Sequence, residues 1–398
     1  MATIPSRSIC LLLLTLLSIA KAQAQKSKVD ARALTALIQA AEASHSDALV
    51  VLKDGKLVGE WYFGKPQGPI EAMSVTKSVV SLAIGTLIAE GKIKSLDEPL
   101  HTFYSEWKQG RKQAITLRHL LSHTSGLQNY PRTDVEIYPS PDFVQLALAA
   151  ELTEEPGKIF SYNNKAVNLL TGVVQKTAGK RLDLYLREGL FQKMGITNFD
   201  WTLDQAGNPH GMSGLQVRPA DLAKLGQLML QQGRWNGQQL LTPEWVTASK
   251  QASQEAFPSY GLLWWLIPAS TNYLIDQEQI DKLEAAGVKP EFVAKVRGLQ
   301  GNYPDQATYY AALEKSFGKE YQRVLVEHIG QLGFALSKKT YGPIIGYSGR
   351  GDLGQYLVVY PSQGLVAVRM VRGSETYSQA TDGFDDFERR VAQLVKSR

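Results

Sequence analysis

Ala72-Met73-Ser74-Val75-Thr76-Lys77-Ser78-Val79-Val80-Ser81-Leu82-Ala83-Ile84-Gly85-Thr86-Leu87-Ile88-Ala89-Glu90-Gly91 is the stretch on which the reading of the chain turns. Apolar residues fill most positions between Val75 and Ala89, and Gly91 supplies a C-terminal stop, so the run reads as a helix of about four to five turns. Lys77 is its only charge between Glu71 and Glu90. At ~3.6 residues per turn, Ser74, Lys77, Ser78 and Ser81 form one narrow polar stripe on an otherwise apolar helix. Such a helix is buried, and its stripe needs a reason. In one reading, Lys77 pairs with a distant carboxylate and the serines bond backbone carbonyls one turn back. In the other, Ser74 is a nucleophile at the helix N-terminus, and Lys77 lies in a poorly solvated site that lowers its pKa until it acts as a base. Ser-x-x-Lys alone does not separate the two.

The remainder of the chain narrows the choice. Arg7 is the one charge before the apolar run Ile9 to Ala20, which is followed by Lys21-Ala22-Gln23-Ala24-Gln25. This pattern predicts a secretory signal peptide over residues 1–24, cut after Ala24 and too short to span a membrane. The expected location is therefore the periplasm or the medium. Cys10 is the only cysteine and lies inside the run rather than just after it, which argues against a lipid anchor. The mature chain, 25–398, has no thiol or disulfide chemistry, in keeping with export without disulfides. Losing Arg7 and Lys21 lowers the net charge of +5 by two. The charge that remains is too mild and too scattered for a nucleic-acid partner.

Along the mature chain, Val29 to His45 has helical periodicity, and Ala48 to Leu52 and Leu57 to Phe63 are β-rich runs around Lys53-Asp54-Gly55-Lys56, a hairpin signal. Helices and loops follow to about Val246. Sheet character returns at Tyr260 to Ile267, then at Ile344 to Ser348, Gln355 to Tyr360 and Leu365 to Val371, with a last helix at Phe384 to Val395. The order predicts an α/β (α+β) fold: an antiparallel sheet lobe from about 29–70 and 255–398, a helical lobe inserted at about 71–254, and an extra helical insert at about 275–332.

Phe160-Ser161-Tyr162-Asn163-Asn164 follows a Pro-Gly turn and precedes a helix, so Tyr162 sits on a loop with Asn163 or Asn164 as N-cap. Tyr162 reads either as a core aromatic or as a site residue. Gly346-Tyr347-Ser348-Gly349-Arg350-Gly351 reads as a glycine-rich strand edge, of the kind found where backbone approaches a ligand closely. His119 and His123, at i and i+4, leave a metal short of ligands, so no metal and no cofactor is expected.

Taken together, these signals resemble the serine hydrolases of the class C β-lactamase and penicillin-recognising group, which includes carboxylesterases, D-amino-acid peptidases and 6-aminohexanoate-dimer hydrolases. The resemblance runs through Met73-Ser74-Val75-Thr76-Lys77, Leu120-Leu121-Ser122-His123-Thr124-Ser125-Gly126-Leu127, Tyr162-Asn163-Asn164, Tyr260-Gly261-Leu262-Leu263-Trp264-Trp265 and Ser348-Gly349. It implies Ser74 as nucleophile, Lys77 and Tyr162 as proton-transfer groups, and Asn164 bonding Lys77 or the substrate. It also implies an oxyanion hole from the backbone N–H groups of Ser74 and Arg350, on a strand that includes Ser348 and Gly349. The third motif departs from the family. Tyr347-Ser348-Gly349 has no Lys or His at its first position, which leaves Arg350 as the candidate to meet a substrate carboxylate. The expected function is an exported serine hydrolase of small esters or amides; the alternatives are a D,D-peptidase or β-lactamase, and a non-catalytic binding domain of the same fold.

Overall fold

The computed structural model describes residues 29–130, 132–255, 257–330 and 335–395, and the expected signal peptide at 1–24 lies outside them. The main sheet begins with a hairpin. Strands β1 (Ala48–Lys53) and β2 (Lys56–Trp61) are joined by Asp54 and Gly55, whose φ values of 50° and 75° give the doubly left-handed turn that matches strand twist. Helix α1 (Ala31–Ala43) precedes them, capped by the Asp30 carboxylate on the N–H groups of Arg32 and Ala33.

Helix α2 (Val75–Ala89) is the predicted central helix, and every residue from Val75 to Leu87 is buried. The chain then passes through short helices that include α3 (Asn164–Val167), α4 (Leu169–Ala178) and α5 (Pro219–Leu230). It returns to the sheet as β3 (Trp265–Pro268), β4 (Ile344–Gly351), β5 (Gln355–Tyr360) and β6 (Leu365–Met370), and ends in helix α6 (Phe387–Ala392). The six strands lie in the order β2-β1-β6-β5-β4-β3. Pairing is antiparallel, with Ala48 opposite Met370, Leu357 opposite Val368 and Gly349 opposite Leu357. Helix α5 packs on this sheet at Gly226, where a Cβ would lie 2.7 Å from Val366 and 2.8 Å from Leu357.

The run Tyr260 to Ile267 is only partly a strand. Leu263 takes φ +60°, and the chain reverses so that Gly261 N–H bonds Trp264 O at 2.8 Å and Tyr260 bridges Trp265. Hydrophobicity alone does not disclose that turn.

The described chain divides into two compact units, one formed by residues up to Leu266 and from Gly346 onward, the other by Ile267–Ile345. The second unit contains the segment expected as a helical insert, and it also carries a three-stranded sheet with Thr271–Ile275 between Gly301–Tyr303 and Lys338–Tyr341. Its own core gathers Tyr273, Ile280, Leu283, Phe292, Val296 and Leu313. Among the described residues, no helix is long and apolar enough to cross a membrane.

Candidate active site

Ser74 stands at the N-cap of α2, directly after Met73, whose φ of +46° is unusual for a non-glycine residue. An N-cap serine ordinarily spends its oxygen on the N–H groups of the first turn, but Ser74 makes no such bond. Its Oγ instead meets Lys77 Nζ at 2.9 Å, one turn along the helix. The second partner of Lys77 is the carbonyl oxygen of Met212, at 2.7 Å. Among the described residues no carboxylate pairs with it, and only 1% of its surface is exposed. Burial alone therefore lowers its pKa to about 7. Among the described residues no distant carboxylate pairs with Lys77, and neither Ser78 nor Ser81 bonds a carbonyl one turn back. Ser78 Oγ bonds Leu263 O at 2.8 Å, and Ser81 Oγ is buried without a partner.

Tyr162 approaches the same serine. Its hydroxyl hydrogen-bonds the Ser74 side chain, and burial pushes its pKa up to about 12, so it is a neutral phenol across the physiological range. Lys77 Nζ lies 4.9 Å from the centre of its ring. The ring is held by His123 at 4.5 Å and stacked on Trp265 at 5.7 Å. His123 is buried, and its Nδ1 accepts the N–H of Asn163 at 3.1 Å, which fixes the loop that delivers Tyr162. His119 Nδ1 likewise accepts the N–H of Thr116, so both histidines are committed to backbone.

Asn163 and Asn164 divide the work differently from expectation. Asn163 is the N-cap of α3, accepting from Ala166 N–H at 3.0 Å and donating to Leu127 O at 3.0 Å. Asn164 is not bonded to Lys77, whose ammonium faces Met212 O instead. The Asn164 Oδ1 is buried and has no hydrogen-bond partner among the described residues.

The strand that carries the third motif alternates as its pleat requires. Gly349 and Gly351 face α2: a Cβ on the first would lie 2.9 Å from Ser78 Oγ and Val75 Cγ1, and on the second 2.8 Å from Ala72 O and 3.0 Å from Ser74 N. These glycines let β4 touch the nucleophile's helix, which is the close approach they serve. Ser348 and Arg350 turn to Glu388 of α6. Ser348 Oγ donates to Glu388 Oε1 at 2.5 Å, and Arg350 Nε and Nη2 grip both carboxylate oxygens at 2.7 Å. The Arg350 side chain, expected to stand in for the missing cation, thus has its Nε–Nη2 edge paired with Glu388. The Ser348 hydroxyl is also taken, so it is not available to substrate. Tyr347 is buried edge-on against Trp264 at 5.5 Å.

A family model described as Beta-lactamase matches residues 34–387. The chain belongs to the β-lactamase family. Within it, the chain is 24% identical over 186 residues to PbpX of Bacillus subtilis, a protein named for penicillin binding, covering 44% of this chain and 46% of that one. It is 28% identical over 142 residues to esterase EstB of Burkholderia gladioli, covering 31% of this chain and 36% of that esterase. The match thus spans less than half the length of either relative. Among solved structures, a penicillin binding protein from Bacillus halodurans superposes with a TM-score of 0.57 at 19% identity, covering 89% of this chain and 98% of its own. EstCE1, described as a hydrolase with promiscuous acyltransferase activity, gives 0.58 at 16% identity, covering 92% of this chain and 98% of its own. At these identities the structures speak for the fold, a helix-flanked antiparallel sheet of the β-lactamase/transpeptidase type, and the family makes this β-lactamase relative a serine hydrolase.

Two contributors to the site were not foreseen. Met212 acts through its carbonyl, which no side-chain motif announces. Asn168 holds that carbonyl in place: its Oδ1 accepts from Gly211 N–H at 2.8 Å and Met212 N–H at 3.2 Å, while its Nδ2 donates to Asn164 O at 3.3 Å. A buried asparagine between Val167 and Leu169, at the break between α3 and α4, was the available signal.

Proposed function

We propose that the protein is an exported hydrolase of small carboxylic esters or amides that works through an acyl-enzyme on Ser74. The observation that carries this reading is the buried, carboxylate-free Lys77 at 2.9 Å from Ser74 Oγ. Near pH 7 about half of such a lysine is neutral, with its lone pair directed at the serine hydroxyl while an N–H stays on Met212 O.

In the proposed reaction, Ser74 Oγ bonds to the substrate carbonyl carbon and its proton passes to Lys77 Nζ. The N–H groups of Ser74 and Arg350 receive the developing oxyanion. As the carbonyl re-forms, the bond to the leaving group breaks, and that group takes a proton relayed through Tyr162. Water then attacks the acyl carbon with Lys77 again as base, the bond from that carbon to Ser74 Oγ breaks as Oγ takes the proton back from Lys77, and the acid departs.

The test is labelling of the mature protein with a fluorophosphonate probe and, in parallel, a fluorescent penicillin, with the adduct mapped by peptide mass spectrometry. Phosphonate on Ser74 alone supports the ester and amide reading, and penicillin on Ser74 as well transfers it to cell-wall peptides or β-lactams. Ser74→Ala should lower turnover by ~10²-fold or more, and full retention of hydrolysis by a pure sample would sink the mechanism.

A further inference from the structure

We infer that Glu388 sets the substrate class of this site: by holding the edge of the Arg350 guanidinium it turns away acyl groups bearing a carboxylate and leaves the site to neutral, apolar ones. The inference rests on the acyl-enzyme reading and adds to it a residue that touches neither Ser74 nor Lys77.

Arg350 lies on β4 between Gly349 and Gly351, the two residues that touch α2 at Val75, Ser78 and Ser74 N. Its guanidinium packs on the Trp265 ring at 5.2 Å from the centroid, and that ring stacks on Tyr162, which bonds Ser74. The cation is thus two aromatic rings, Trp265 and Tyr162, away from the reacting hydroxyl. A substrate carboxylate would pair bidentately with one of the two planar edges of the guanidinium, Nε–Nη2 or Nη1–Nη2. Glu388 occupies both nitrogens of the first edge and so takes Nη2 from the second, and the hydroxyl of Ser348 reinforces the grip. The Glu388 side chain is 15% exposed and that of Arg350 37%, and an incoming anion meets a like charge where it needs a cation.

What remains around Tyr162 is aromatic. Trp265 meets Tyr260 at 4.9 Å and Phe257 at 6.2 Å, and Phe257 stacks on Phe160 at 4.7 Å. Such a wall favours apolar surface and offers a carboxylate no hydrogen bond.

The experiment compares kcat/KM for para-nitrophenyl hexanoate and the mono-para-nitrophenyl ester of adipic acid, which differ by a carboxylate in place of a methyl. The wild-type protein should prefer the neutral ester by about tenfold or more, the scale of one lost charge-assisted pairing. Glu388→Gln frees the guanidinium and should shrink that preference by about tenfold. The double variant Glu388→Gln/Arg350→Met removes the cation and should restore it. Equal use of both esters by the wild-type protein overturns the inference. So does an unchanged preference in Glu388→Gln, or a gain on the adipate ester that persists in the double variant, since that gain would come from a loosened strand. Phosphonate labelling of Ser74, run on each variant, keeps the two readings apart. Labelled protein that hydrolyses neither ester refutes the substrate class, whereas unlabelled folded protein refutes the acyl-enzyme.

Discussion

Replacing Lys77 by methionine should abolish hydrolysis and yet stabilise the fold at neutral pH. Lys77 is fully buried, and its pKa falls from the ordinary 10.5 to about 7. The unfolded chain therefore binds more protons than the folded one between these values, and stability rises as pH climbs from 7 to 10.5. Integrating that difference, the lysine costs the fold roughly 4 kcal/mol at pH 7 and roughly 2 kcal/mol at pH 9, relative to the alkaline limit. Methionine has a similar length and no charge to desolvate. Its own cost is the hydrogen bond that Met212 O loses, about 1–3 kcal/mol at either pH. Lys77→Met should thus be more stable than the wild-type protein at pH 7, with the advantage about 2 kcal/mol smaller at pH 9. Urea unfolding of both proteins at the two pH values measures this directly, because groups that do not interact with Lys77 cancel in the difference and His123, which does, is neutral in the folded protein at both pH values. A stability difference that does not change between pH 7 and 9 would refute the reasoning, since it would mean that Lys77 titrates alike in the folded and unfolded chains.

The same lysine governs the rate. kcat/KM for a neutral ester should climb about tenfold per pH unit below pH 7 and level off above pH 8, with no alkaline fall before Tyr162 begins to ionise near its pKa of about 12. An acid limb centred near 10 would show that Lys77 is an ordinary ammonium. Asn168→Ala strands the N–H groups of Gly211 and Met212, costing about 2–4 kcal/mol of stability, and lets the Met212 carbonyl drift from Lys77. Because that carbonyl accepts from the ammonium, its loss should move the acid limb to lower pH, and a limb that stays put would make Asn168 a purely structural residue.

Much of this site could be read from residue order, and the limits have a physical basis. The α2 stripe was legible because a 3.6-residue period puts Ser74 and Lys77 together whatever surrounds them. The hairpin was legible because Asp54-Gly55 accepts two left-handed residues at little cost. The place of Tyr162 before a capped helix left it either a core aromatic or a site residue, and only the resemblance of Tyr162-Asn163-Asn164 to the family's motif implied its chemistry. By contrast, the acceptor of Lys77 is a backbone carbonyl, and every residue has one. The commitment of Arg350 to Glu388 joins residues on β4 and α6 that are far apart in sequence, and the pleat decides which face Arg350 takes. The division of roles between Asn163 and Asn164 depended on which residue became the N-cap, a matter of one position at a helix end.

The two cations near the nucleophile are treated in opposite ways. Lys77 has no carboxylate, so burial alone sets its pKa. Arg350 is neutralised by Glu388 in a bidentate pair, and the pKa of Lys77 is left to desolvation. Single loss of Arg350 therefore differs in kind from loss of the pair. Arg350→Met alone leaves Glu388 as an uncompensated anion, which costs stability. Removing both charges restores the balance and should return the stability measured by urea unfolding toward its wild-type value.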